Sequence, residues 1–181
     1  MSVSLAASFL ERSRYYLGTE YPAKIRAAVE TLPGDKLWWR PNEAANSVGN
    51  LLLHLSGNIR QWIVSGVGGA ADVRRRSMEF AARGGATAAG MLEGLDATLR
   101  EADAVLRGLT PSELQTRRTI QGRETTVFEA VYHVVEHFSG HTYQIVYVAK
   151  LVSPGVVKFY DDTDGLAKPL FLPEGTSDIG R

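Results

Sequence analysis

Between Thr125 and Ser153 the chain runs without a proline, and its apolar residues recur at steps of three and four: Val127, Val131, Val134, Val135, Phe138, Ile145, Val148 and Leu151. That period belongs to an amphipathic α-helix. Thr125 or Thr126 supplies its N-cap, and Ser153-Pro154-Gly155 stops it near Val152. A helix of this length has to lay its apolar stripe on other helices. The same stretch carries His133, His137 and His141, three of the four histidines in the chain.

The rest of the sequence supplies partners of the same kind. Residues 4–31 read as one long helix, bent or divided by Gly18 and Pro22 and ended by Pro33-Gly34. Residues 47–65 read as a second helix, with Ser47 as N-cap and Leu51, His54, Leu55, Asn58 and Trp62 on its inward face. Residues 87–108 form a third, with Met91, Leu92, Leu95, Leu99, Ala102 and Leu106 as its stripe. Residues 66–86 are glycine-dense and read as a long loop that holds Arg74-Arg75-Arg76. Residues 115–123 are a polar connector, and the tail from residue 153 to 181 has no helical period. We therefore expect an all-α fold, an antiparallel four-helix bundle over residues 1–152, with an irregular tail over 153–181 packed on or near it.

The fourth histidine, His54, lies on the apolar face of the second helix. Residues four apart on a helix have Cβ atoms about 5–6 Å apart, so His133/His137 and His137/His141 are both pairs able to share an ion. His133 and His141 are about 12 Å apart along the axis and cannot both join it. One pair plus His54 would give three imidazoles and an open position, the ligand set of a catalytic rather than a structural divalent site. Spacing alone leaves the choice of pair open. Each of these histidines also reads as an ordinary core residue when taken singly.

Composition narrows the chemistry. There is no cysteine, so disulfides, thiolate metal sites and cysteine nucleophiles are excluded. Lysine plus arginine equals aspartate plus glutamate at 20 each, which gives no long-range attraction to nucleic acid or acidic lipid. No run of residues reaches the roughly 20 apolar positions of a membrane helix, and the N-terminus lacks the basic start and apolar run of a signal peptide. The expectation is a cytoplasmic protein acting on a small molecule, with no nucleic-acid or membrane partner.

Two stretches, NSVGNLLLHLSGNIRQWI and HVVEHFSGHTYQI, resemble those of the DinB/YfiT-like superfamily of metalloenzymes, together with Arg75 to Phe80 in RRRSMEF. The resemblance covers residues 5–152. It implies a divalent metal, zinc or nickel, held by His54, His137 and His141, with His133 one turn outside the ligand set. It also implies a homodimer, and transfer chemistry that uses a low-molecular-weight thiol. Many relatives carry His-Arg-Gly-Gln after the histidine pair where this chain has His141-Thr142-Tyr143-Gln144.

The remaining polar residues carry two readings each. Asn50 and Asn58 are packing amides or cavity-lining donors, and Glu136 is a solvated carboxylate or a general base. Gln144 is a packing amide or a site residue. Arg74 to Arg76 are a solvated loop or a clamp for an anionic substrate. Trp38, Trp39 and Trp62 are core or cleft aromatics. No catalytic acid or base stands out. Three functions follow: a metal-dependent transferase or hydrolase, a metal- or ligand-binding stress protein without turnover, or a helical interaction module without metal.

Overall fold

A computed structural model describes residues 4–165, 167–173 and 176. The protein is mostly helical, with α-helices α1 (Leu5–Tyr15), α2 (Tyr21–Val29), α3 (Val48–Ile59), α4 (Arg76–Ala81), α5 (Ala88–Gly108) and α6 (Val127–Val152). The strands are short: β1 (Arg117–Ile120) pairs antiparallel with β2 (Arg123–Thr126), and β3 (Tyr160–Asp161) with β4 (Lys168–Pro169).

The first helical run is neither broken nor divided at Gly18 and Pro22. A π-helical turn, Tyr16–Glu20, joins α1 to α2, and the Tyr21 N–H reaches back to the Tyr16 carbonyl. Pro22 has no N–H, and in a regular helix its ring would strike the carbonyl of Gly18. The wider turn absorbs both problems. A second π-helical segment, Arg60–Val67, extends α3 beyond the expected end at residue 65. There Gly69, at φ 81°, takes the left-handed conformation that ends a helix at little cost for glycine.

Caps fix the starts of the helices that carry the site. Ser47 Oγ accepts the Asn50 N–H at 3.1 Å, and Asn50 Oδ1 accepts the Ser47 N–H at 3.1 Å, so an asparagine completes the reciprocal box usually made by Glu or Gln. Thr126, not Thr125, caps α6. Its Oγ1 accepts the Glu129 N–H at 3.2 Å, and Glu129 Oε2 accepts the Thr126 N–H at 2.7 Å.

In the core, α3 packs on α5 and α6 while α2 packs on α6. Ile25, Leu51, Leu55, Ile59, Leu95, Val131, Val134, Phe138 and Ile145 are among its buried side chains. The expected stripes of α3, α5 and α6 therefore face inward as their period requires. Trp38 and Trp39 are half-buried against this core, and a Cβ on Gly49 would lie 2.8 Å from the Trp38 ring.

Two connectors carry more structure than their sequences suggest. The span 66–86 is not all loop: it begins in the π-helical end of the α3 run and contains α4. The polar connector before α6 is the β1–β2 hairpin, turned by Gln121 and Gly122 at φ 54° and 71°. Positive φ at both turn positions is the two-residue turn that matches strand twist. In the tail, Phe159 is buried in the core and β3 and β4 lie beyond it. No described helix is long and apolar enough to cross a membrane.

Candidate metal centre

The helices bring three of the four histidines to one point. His54 Nε2 lies 3.0 Å from His137 Nε2, which lies 3.2 Å from His141 Nε2. The candidate ligand atoms of these three residues all fall within 4.8 Å of one another. His133 stays outside. Its ring is 5.5 Å from that of His137 and stacks at 4.3 Å on Trp62.

Hydrogen bonds at the far side of the rings set their tautomers. Glu79 Oε2 is 2.8 Å from His54 Nδ1, and Gln144 Oε1 is 2.7 Å from His141 Nδ1. Both oxygens accept, so both Nδ1 atoms carry the proton and both Nε2 atoms turn lone pairs inward; Arg74 Nη2, though 3.1 Å from His54 Nδ1, then donates to Glu79 Oε2 at 2.8 Å. His137 Nδ1 is buried without a hydrogen-bond partner. If its proton sits there, three lone pairs converge. If it sits on Nε2, it satisfies only one of the two short contacts. In the first case lone pairs face one another, in the second one lone pair is left without a donor, and a cation would satisfy either.

The spacing suits such a cation. Bonds of about 2.0–2.1 Å at tetrahedral or octahedral angles place neighbouring ligand nitrogens roughly 2.8–3.4 Å apart. The 3.0 and 3.2 Å separations fall within that range. Burial holds His137 down to about 3, helped by His141, His54, His133 and Arg74. Burial also lowers His141, against the opposing hydrogen bond from Gln144. Neutral imidazole is the form that binds metal.

Behind His54 lies a group that the sequence did not reveal. Burial would raise the Glu79 carboxyl, but Arg74 and His54 bond to it and hold it below the usual carboxylate range. Arg74 donates to Glu79 from Nε at 2.7 Å and from Nη2 at 2.8 Å, the bidentate geometry of a strong pair. It also donates to Gln61 Oε1 from Nη1 at 2.9 Å. Gln121, at the tip of the hairpin, donates to the same Gln61 oxygen. A carboxylate behind a histidine orients the ring and makes its other nitrogen more basic.

This arrangement corrects one expectation. The Arg74 side chain is only 4% exposed and belongs to neither a solvated run nor an open clamp. Arg75 and Arg76 are exposed. Glu136 is exposed as well, and Gln144 is a site residue through His141. Asn50 is a packing amide, since its Nδ2 donates to the Glu79 and Ala82 carbonyls at 2.8 and 2.9 Å and ties the end of α4 to α3. Asn58 lines a cavity of about 250 Å³ beside His54 and His137, together with Trp62 and His133.

The signal for Glu79 was a glycine. Gly57 sits one turn after His54, and a Cβ there would lie 2.1 Å from Glu79 Oε1 and 2.9 Å from Arg74 Nε. A mid-helix glycine costs about 1 kcal/mol relative to alanine, so one beside a candidate ligand marks a close approach.

The fold and the site define a mostly helical protein with a partly buried three-histidine cluster compatible with a metal ion. The family model described as "Protein of unknown function (DUF1572)" matches residues 4–159, and the chain belongs to that family. No curated protein matches it.

Proposed function

We propose that the protein is a divalent-metal-dependent enzyme acting on a small molecule, with His54, His137 and His141 as ligands. The observation that carries this reading is the convergence of the three Nε2 atoms while Glu79 and Gln144 take the Nδ1 protons of two of the rings. The four long helical runs are read as an antiparallel DinB/YfiT-like bundle, with the tail packed on the same unit and a homodimer as the assembly. Zinc or nickel suits an all-imidazole set with an open position.

Such an ion supplies Lewis acidity toward a water or a low-molecular-weight thiol at neutral pH. Water leads to hydrolysis and a thiol to transfer onto an electrophile. The residues of the chain do the rest. Glu79 and Gln144 hold the rings of His54 and His141, Phe80 covers the His54 ring and Trp62 packs on His133. His133 lines the cavity one turn from His137 with a pKa lowered mainly by burial, so it is the neutral base placed to take a proton. A second reading, a metal-binding protein without turnover, draws on the lack of any carboxylate lining that cavity among the described residues.

The test is elemental analysis of protein purified without a histidine tag, repeated on alanine variants of His54, His133, His137 and His141. The expected result is near one metal per chain, lost in the variants at 54, 137 and 141 and kept at 133. No metal after repletion with zinc, nickel, manganese and iron would refute the proposal. With metal bound, turnover of electrophiles with thiols or water separates the enzyme from the binder.

A further inference from the structure

The cavity beside the histidines carries a charge imbalance that metal binding does not use. Arg74, Arg76 and Arg123 line it, and no carboxylate does among the described residues. Arg74 is committed to Glu79. Arg76 and Arg123 are exposed and make no ion pair among the described residues. The chain as a whole carries no net charge, so this local excess does not follow from general basicity.

Both arginines are held by residues that also hold the histidines. The Arg76 guanidinium lies 4.9 Å above the Phe80 ring, and Phe80 packs at 4.7 Å on the His54 ring. Arg123 pairs with Ile120 across the two-residue turn whose Gln121 bonds Gln61, and Gln61 accepts from Arg74. A Cβ on Gly66 would meet the Ile120 side chain at 2.5 Å, so the hairpin is seated firmly on the helix beneath it. Two guanidiniums without an ion pair among the described residues reach one cavity from α4 and β2, and His54, His133 and His137 line it too.

We propose that the substrate carries a carboxylate or a phosphate, which Arg76 and Arg123 grip while its reactive end turns toward the histidines. Guanidinium forks match the planar oxygens of either group. The volume, about 250 Å³, lies just under the roughly 300–1,000 Å³ of drug-sized sites and sets a small molecule as the occupant. The placement of the reactive end rests on the metal reading; the grip rests on the arginines alone.

The test titrates inorganic phosphate, and separately succinate, into zinc-loaded and EDTA-treated full-length protein by calorimetry at low ionic strength. The variants are Arg76→Gln/Arg123→Gln and, as a charge-matched control outside the cavity, Arg75→Gln/Arg118→Gln. Zinc content is measured on every sample. We expect saturable binding of at least one anion, weakened about tenfold or more by the first pair and less than about twofold by the second. Binding of phosphate alone points to a phosphorylated substrate, and binding of succinate to a carboxylate. Equal losses in the two double variants would reduce the effect to diffuse charge and overturn the grip. Stoichiometric zinc with neither anion bound also overturns the grip and leaves the metal site standing. Anion binding that depends on Arg76 and Arg123 in a protein that takes up no zinc, nickel, manganese or iron on repletion keeps the grip and refutes the metal reading.

Discussion

Among the described residues, two clusters bury a charged pair, and they differ in what they leave unsatisfied. At one, Lys24 donates to Glu20 at 2.7 Å and to the Tyr143 hydroxyl at 3.2 Å, with the rings of Phe171, Tyr143 and Tyr160 4.9–6.0 Å from its ammonium. Two oxygens and three aromatic faces surround the charge, and part of that cover comes from the tail. At the other, Arg74 and Glu79 neutralise one another, but the carboxylate passes on to His54, whose second nitrogen meets two further imidazoles beside a cavity. The first cluster satisfies its own charge, although Lys24, Tyr143 and Tyr160 also line a cavity of about 370 Å³. The second ends in three imidazole nitrogens with too few protons to satisfy their contacts. Burial of charge alone does not mark a functional site; burial that stops short of satisfaction does.

Breaking each pair from one side should separate them. Glu79→Ala strands Arg74 and removes the acceptor behind His54. We expect a loss of about 3–5 kcal/mol in urea unfolding and a zinc affinity lower by about 10–100-fold in chelator competition. Unchanged zinc affinity would make Glu79 a purely structural partner and collapse the distinction. Replacing both members sharpens it. Glu20→Leu/Lys24→Met should keep the fold and the full zinc content, because a well-packed apolar pair often matches a buried ion pair. Arg74→Met/Glu79→Leu should fold too, yet lose zinc affinity as the single variant does.

The sequence disclosed these regions unequally, for physical reasons. Histidines at helical spacing on an apolar stripe announce where they point, so a cluster with His54 was legible, but spacing left His133/His137 and His137/His141 open and only the resemblance favoured His137 and His141. Arg74 and Glu79 were not. They sit five residues apart across the start of a six-residue helix, where no period can build up. The arginine is buried only because a carboxylate from the same span turns in with it. The two π-helical turns were equally hidden, since Gly18 and Pro22 show that the helix is disturbed but not that it widens and continues. The stripes of the long helices were plain because periodicity is a property of the segment itself.

Smaller perturbations probe the same contrast. Gly57→Ala puts a methyl where Glu79 Oε1 now lies, and that oxygen is not free to swing away because Arg74 holds it. The helix itself gains only about 1 kcal/mol from alanine, less than disturbing the buried pair costs, so we expect a net loss of stability with zinc affinity down by about tenfold. A protein that binds zinc normally with alanine there would show that the carboxylate is not held in place.

The pH dependence of metal-free protein should divide between the clusters, with the smallest effects of all. Glu79 is lowered in the fold. Its contribution is present above the unfolded value of about 4.3 and is lost as pH falls through the folded value. Lys24 is raised: burial would lower it, but Glu20 and Tyr143 outweigh that. Its contribution is complete below the unfolded value of about 10.4 and is lost as pH rises through the folded one. Glu79→Gln should therefore flatten the acid limb of stability and Lys24→Met the alkaline limb. Exchange of those two effects would reverse the assignment.

The Asn50 amide has a consequence in time as well as in space. One side chain accepts from the backbone at the start of α3 and donates to two carbonyls at the end of α4. The short helix is thus fastened near its C-terminal end by an amide and along its inner face by Glu79. Neither tie draws on the propensity of α4 itself, since a six-residue helix has almost none in isolation. Hydrogen exchange across residues 76–82 will report how long the Glu79–His54 contact survives, and a cation that draws on His54 will slow it from the far side of the ring.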